Sequence, residues 1–149
     1  MTANETDQTD AIAFLKTHAS CGASKVDDTI QTHAALVFLH ADEALKIKRA
    51  VTYDYLDFST LAQRHDMLQR EVDLNSDAAP GLYRDVVALT RDADGALALN
   101  GSGTVVEWVL RMKRFPASAE LSSVAARGLF DDRLANSLGQ SIAAYHRNA

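Results

Sequence analysis

The sequence predicts an α+β fold: a twisted antiparallel sheet of about five strands with one packed helix, followed by a connecting stretch and two C-terminal helices. Three observations predict it. Short apolar runs of strand length and alternating pattern occur between residues 26 and 51, and again between 85 and 112. One segment of helical period, Asp57–Asn75, separates the two groups. After Phe115–Pro116 the period is helical to the end. Strands, one helix, strands, then helices is the order of an antiparallel sheet with its helices segregated from it.

Each element has a local reason. Residues 1–9 are polar and acidic and read as a mobile tail, and Ala11–Thr17 as one or two helical turns. Ala19–Ser24 is a Ser/Gly/Ala loop by composition, which closes a first segment of residues 1–24. Val26–Thr32 and Leu36–Leu39 have extended character, and Ala41–Glu43 reads as a tight turn. Ala44–Val51 (ALKIKRAV) then alternates, with Leu45 and Ile47 on one face and Ala44, Lys46 and Lys48 on the other. Ser59 or Thr60 caps the helix that follows, and Thr60 with Gln63 fits a capping box. Leu61, Leu68, Val72 and Asn75 lie along one stripe of that helix, with Met67, Glu71 and Leu74 beside it. Strand character returns at Asp85–Thr90, Ala96–Leu99 and Thr104–Met112, joined by RDADG and NGSG, whose residues tolerate positive φ. Residues 25–115 therefore form the sheet-bearing unit. Residues 116–149 carry two helices, Ala117–Arg127 stopped by Gly128 and Asp131–Arg147 with an apolar stripe of Leu134, Leu138, Ile142 and Tyr145.

Composition narrows the function classes. The chain has 149 residues, 47% of them apolar, and a net charge of −5 with both signs interleaved. That is enough material for a core, and it leaves no basic footprint for nucleic acid. The single cysteine, Cys21, cannot form an intrachain disulfide. No leader-like start and no apolar run of membrane-spanning length occurs, so a soluble, cytoplasmic protein without a membrane partner is expected. The five histidines show no paired ligand spacing, and no metal site is expected.

The chemistry concentrates in ALKIK. A lysine within an apolar strand needs a reason, because an unpaired buried ammonium is costly. The ordinary reason is an edge strand that shows its lysines to water. The alternative is a ligand: small Ala44 lets a flat ring approach the sheet, and Lys46, on the same face, reaches the phosphates attached to that ring. Glu71, on the next helix, is spaced to partner Lys46.

Several stretches resemble aminoglycoside-phosphotransferase-like proteins, a kinase-like family whose members often carry a C-terminal P-loop kinase domain. They are TH-A-A-LVFL (Thr32–Leu39), ALKIKRAV, LDFSTL (Leu56–Leu61), REVDLN with its following AP, LYRDVVALTRDADGAL (Leu82–Leu97), EWVLRMKRF (Glu107–Phe115) and IAAYH (Ile142–His146). The resemblance implies a kinase-like N-lobe over residues 25–115 and a nucleotide, ATP, as ligand, with Mg-ATP in a complete enzyme. It implies that Lys46 contacts the phosphates and that Glu71 holds Lys46. It places Thr32 and His33 in the turn over the phosphates, Ala44 on the floor of the adenine pocket, and Met112–Arg114 in the hinge that reads the adenine edge. This chain departs from the family pattern at Ala35, Leu45 and Ala50, where serine, tyrosine and proline are usual.

The family's catalytic loop and metal-binding acidic motif follow the helix ending in IAAYH, and neither lies within these 149 residues. The expectation is a truncated lobe, inactive by itself, whose last helices expose an apolar surface to a missing C-lobe or to a self-association partner. The competing expectations are a non-catalytic binding or regulatory module, and a structural domain in which Lys46 and Glu71 form a surface pair.

Overall fold

The computed structural model describes residues 7–148. The tail expected over residues 1–9 lies mostly outside them. Gln8 is fastened by its side chain, which donates to the Lys48 carbonyl at 2.7 Å and accepts from the Ala50 amide at 2.8 Å. Helix α1 begins next, at Thr9–Leu15. Strands β1 (His18–Ala19) and β2 (Gly22–Ala23) follow, then β3 (Asp28–Gln31), β4 (Ala35–Leu39) and β5 (Glu43–Lys48). After the small ladder β6 (Thr52–Tyr53) and β7 (Leu56–Asp57) come α2 (Leu61–Asn75), β8 (Tyr83–Arg91), β9 (Leu97–Leu99) and β10 (Thr104–Lys113). A 3-10 turn, Ala117–Ala119, leads to α3 (Leu121–Ala126) and α4 (Asp132–Asn148).

The chain is α+β, and its main sheet is antiparallel with the order β3-β4-β5-β10-β8-β9. It has six strands rather than about five. The short β9 earns its place at the edge by pairing Leu99 with Leu89 and Leu97 with Arg91. The loop expected at Ala19–Ser24 is instead a two-stranded hairpin, because Gly22 takes φ 114° at its corner and Glu43 holds Ser20. Glu43 itself is not a turn residue. It opens β5 and is buried, taking the Ser20 amide and hydroxyl at 2.8 Å each.

The alternation in β5 decides which side each helix covers. Leu45 and Ile47 are fully buried among Leu36, Phe38, Val87, Leu89 and Val109, and α1 closes that face with Ala11 and Leu15. Each Leu, Ile, Val or Phe among them contributes about 1.5–3 kcal/mol by leaving water. Lys46 and Lys48 point the other way, where α2 lies over β10, β8 and β5. Helix α2 starts as its sequence demands: the Thr60 hydroxyl accepts the Gln63 amide, and the Gln63 side chain accepts the Thr60 amide.

Close backbone approach fixes the β8–β10 corner. A Cβ on Gly103 would lie 2.1 Å from the Arg91 carbonyl oxygen. Asn100 adopts φ 55°, a left-handed conformation asparagine tolerates. At the other end, Leu121, Leu129, Phe130 and Ile142 of the α3–α4 region are exposed. Among the described residues no helix is long and apolar enough to cross a membrane.

Candidate functional site

The face that carries Ala44 and Lys46 also carries a cleft. Ala44 pairs with Met112 across β5 and β10, and the two floor a cavity of about 240 Å³. Val37, Leu39 and Tyr83 extend the apolar floor, and Lys113–Phe115 with Glu120 forms the rim. Alanine at position 44 leaves the sheet flat enough for a planar ring.

The strand continues from this floor into an ion cluster. Lys46 Nζ bonds Glu71 Oε1, and Lys48 Nζ bonds Glu71 Oε2 at 2.8 Å. Lys46 is therefore not an edge lysine shown to water, since β5 is interior to the sheet, between β4 and β10. Burial pushes the Glu71 carboxyl upward, but the hydrogen bonds and charges of both lysines outweigh it and hold its pKa below the ordinary glutamate value. Tyr83 joins the two regions. It lines the cleft, and burial together with the nearby Glu71 charge raises its phenol.

Of the residues expected to bind a cofactor, Ala44, Met112 and Arg114 border the cleft, whereas Lys46 lies outside its lining, two residues along β5 from Ala44. The hinge amides, however, are partly engaged already. The Lys113 amide donates to the Leu82 carbonyl at 2.8 Å and the Arg114 amide to the Asp42 carbonyl at 3.1 Å. The Arg114 guanidinium donates to the His40 carbonyl at 2.7 Å and pairs with Asp27. These two amides are therefore already taken.

Thr32 and His33 lie in the β3–β4 turn, away from the cleft lining. The Thr32 hydroxyl accepts the Ala35 amide at 3.0 Å, and the Thr32 amide donates to the Ala35 carbonyl at 2.9 Å. Arg49 donates to the Thr32 and His33 carbonyls, both at 3.0 Å. Internal bonds therefore replace the freedom a glycine-rich turn would have. His33 stands beside Tyr53 and Tyr55, with ring centroids 6.2 and 6.5 Å away.

Sequence reasoning missed a buried charged network behind the site. Arg64 Nε donates to Glu107 Oε1 at 3.0 Å, with side chains 1% and 0% exposed. Arg64 also donates to the Phe58 carbonyl at 2.9 Å, and Gln8 donates to Glu107 Oε2 at 2.6 Å. The available signal was a glutamate inside the apolar run VVEWVL and an arginine on the Leu61–Leu68 side of α2. Among the described residues no group of three or more His, Cys, Asp or Glu side chains is placed to hold a metal ion.

Comparison with known proteins adds relatives without a described activity. The chain is 31% identical over 122 residues to the uncharacterized protein Rv2004c of Mycobacterium tuberculosis (strain H37Rv), and to the same extent to the uncharacterized protein Mb2027c of Mycobacterium bovis. The match covers 82% of this chain and 23% of each relative, so the chain spans about a quarter of the length of the curated relatives it matches. No family model matches the sequence. No solved structure matches it significantly.

Proposed function

We propose that the cleft binds a nucleotide, ATP, with the base on Ala44 and Met112 and the phosphates directed to Lys46, as the nucleotide-binding lobe of an aminoglycoside-phosphotransferase-like small-molecule kinase. The observation that carries this reading is continuity along one strand face. The apolar floor at Ala44 runs within two residues into Lys46, whose ammonium is held by Glu71. Two lysines against one carboxylate leave the cluster with a surplus positive charge for a phosphate.

Bound ATP would supply the phosphoryl group, and this chain's residues would seat and orient it. Lys46 is the group placed to touch phosphate, and Glu71 acts through Lys46. The exposed apolar side chains of α3 and α4 suit a second lobe closing the cleft, and in its absence they favour self-association. A concentration-independent monomer of this chain by light scattering would count against that surface. A cytoplasmic setting belongs to the same reading, on the strength of the lone Cys21.

The test is thermal unfolding with and without Mg-ATP. At ~100-fold excess over the dissociation constant the stabilisation is expected to be roughly 2.7 kcal/mol. Lys46→Ala should remove half of it or more. No response up to millimolar nucleotide, or an unchanged response in Lys46→Ala, would overturn the assignment.

A further inference from the structure

We infer that Lys48 holds Glu71 in place when Lys46 turns to a phosphate, a positioning role that rests on the nucleotide reading above. The geometry separates the two lysines although they share one carboxylate. Lys46 occupies Oε1 and lies two residues from Ala44 at the cleft, with its side chain 20% exposed. Lys48 occupies Oε2 at 2.8 Å, lies farther along β5, and has its side chain 11% exposed.

A further contact holds the Lys48 ammonium. It lies 5.6 Å from the centroid of the Phe58 ring, and Phe58 is itself buried. That arrangement adds cation–π attraction to the ion pair. Lys46 is thus the ammonium with room to move, and Lys48 the one that stays.

The charge argument gives this division a purpose. Glu71 is largely enclosed, with its side chain 16% exposed. Were Lys46 its sole partner, an arriving phosphate would have to strip the cation from a sheltered carboxylate, and leaving such a charge uncompensated is costly. With Lys48 on the second oxygen, Glu71 stays neutralised while Lys46 engages the anion. An ammonium carries three donors, so Lys46 can also keep one on Glu71 and offer the others. Glu71 then remains a fixed post against which Lys46 is aimed.

Calorimetric titration of the chain with Mg-ATP and with adenosine tests this in the parent, Lys48→Met, Lys48→Arg and Lys46→Met. Lys48→Met is expected to weaken ATP about 10-fold or more, the scale of a hydrogen bond to a charged group, and to leave adenosine unchanged. Lys48→Arg should restore most of the ATP affinity, because the guanidinium can again hold Oε2. Equal weakening of ATP and adenosine, or unaltered ATP binding in Lys48→Met, would overturn the role.

A ligand-free arm keeps this outcome separate from failure of the nucleotide reading. Carbon-13 NMR of the Glu71 carboxyl should show a lower pKa in Lys46→Met than in Lys46→Met/Lys48→Gln, because Lys48 remains on the carboxylate in the first. The same Glu71 pKa in the two variants would overturn the hold of Lys48 whether or not ATP binds. If the parent binds no ATP while the two variants differ in this way, the nucleotide reading fails and the hold of Lys48 on Glu71 stands. That titration also decides the matter if Lys48→Met does not fold.

Discussion

Arg64 and Glu107, 43 residues apart, form a hydrogen-bonded ion pair at 3.0 Å that is removed from solvent. The pair joins α2 to β10, and the Trp108 amide and Gln8 supply further donors to the same carboxylate. Helix α2 also presents Glu71 to Lys46, so the pair sets the platform of the site.

Breaking this pair from one side leaves a buried charge without compensation. Arg64→Met is expected to cost about 3–5 kcal/mol. Urea denaturation of Arg64→Met, Glu107→Leu and the double variant measures it, and the double variant should recover part of the loss. Single variants within about 0.5 kcal/mol of the parent would show that the network carries little stability.

How much of this was legible in the sequence follows from the range of each interaction. The period of two in β5 separated Leu45 and Ile47 from Ala44 and Lys46, because the alternation is written in consecutive residues. The capping box was legible for the same reason, since Thr60 and Gln63 lie three apart. The β1–β2 hairpin was not, because Glu43, 23 residues away from Ser20, helps hold it. The Arg64–Glu107 pair is not legible either, because its members lie 43 residues apart and only the fold brings them together. The hinge amides look free in sequence, and only the fold places the Leu82 and Asp42 carbonyls against them.

The carboxylates predict a loss of stability in acid. Glu71 and Asp57 both have pKa values depressed by folding; the Ser59 amide and other hydrogen bonds lower Asp57 from 3.8 to about 2. A depressed carboxylate stabilises the fold above its unfolded pKa, and the contribution disappears as pH falls through the folded value. Melting temperature should therefore fall from about pH 5 downward. Asp57→Asn should flatten the part of that decline between pH 3.8 and about 2. An identical slope in that variant would refute the contribution of Asp57.

Gly103 predicts a steric penalty without any loss of contacts. A Cβ at this position would sit 2.1 Å from the Arg91 oxygen and 2.8 Å from the Asp92 nitrogen, both backbone atoms that cannot swing aside. Gly103→Ala should cost about 1–3 kcal/mol through forced backbone shifts. Gly139 in α4 meets nothing within 4 Å, so Gly139→Ala should raise helicity by circular dichroism instead. Equal effects of the two substitutions would contradict the close approach.

Adjacent residues on β5 should separate stability from binding. Leu45 is fully buried in the α1-side core, and Leu45→Ala should cost about 2–5 kcal/mol. Lys46 faces the cleft side, where its removal leaves that core intact but removes the phosphate contact proposed for it. At a temperature where both variants are folded, Leu45→Ala should retain ATP affinity within about threefold, while Lys46→Ala should lose roughly 1.5–3 kcal/mol of binding, the scale of a charged hydrogen bond. Calorimetric titration checks the binding half and urea denaturation the stability half. Loss of ATP affinity in folded Leu45→Ala equal to that in Lys46→Ala would mean that the two faces of β5 do not divide the labour in this way.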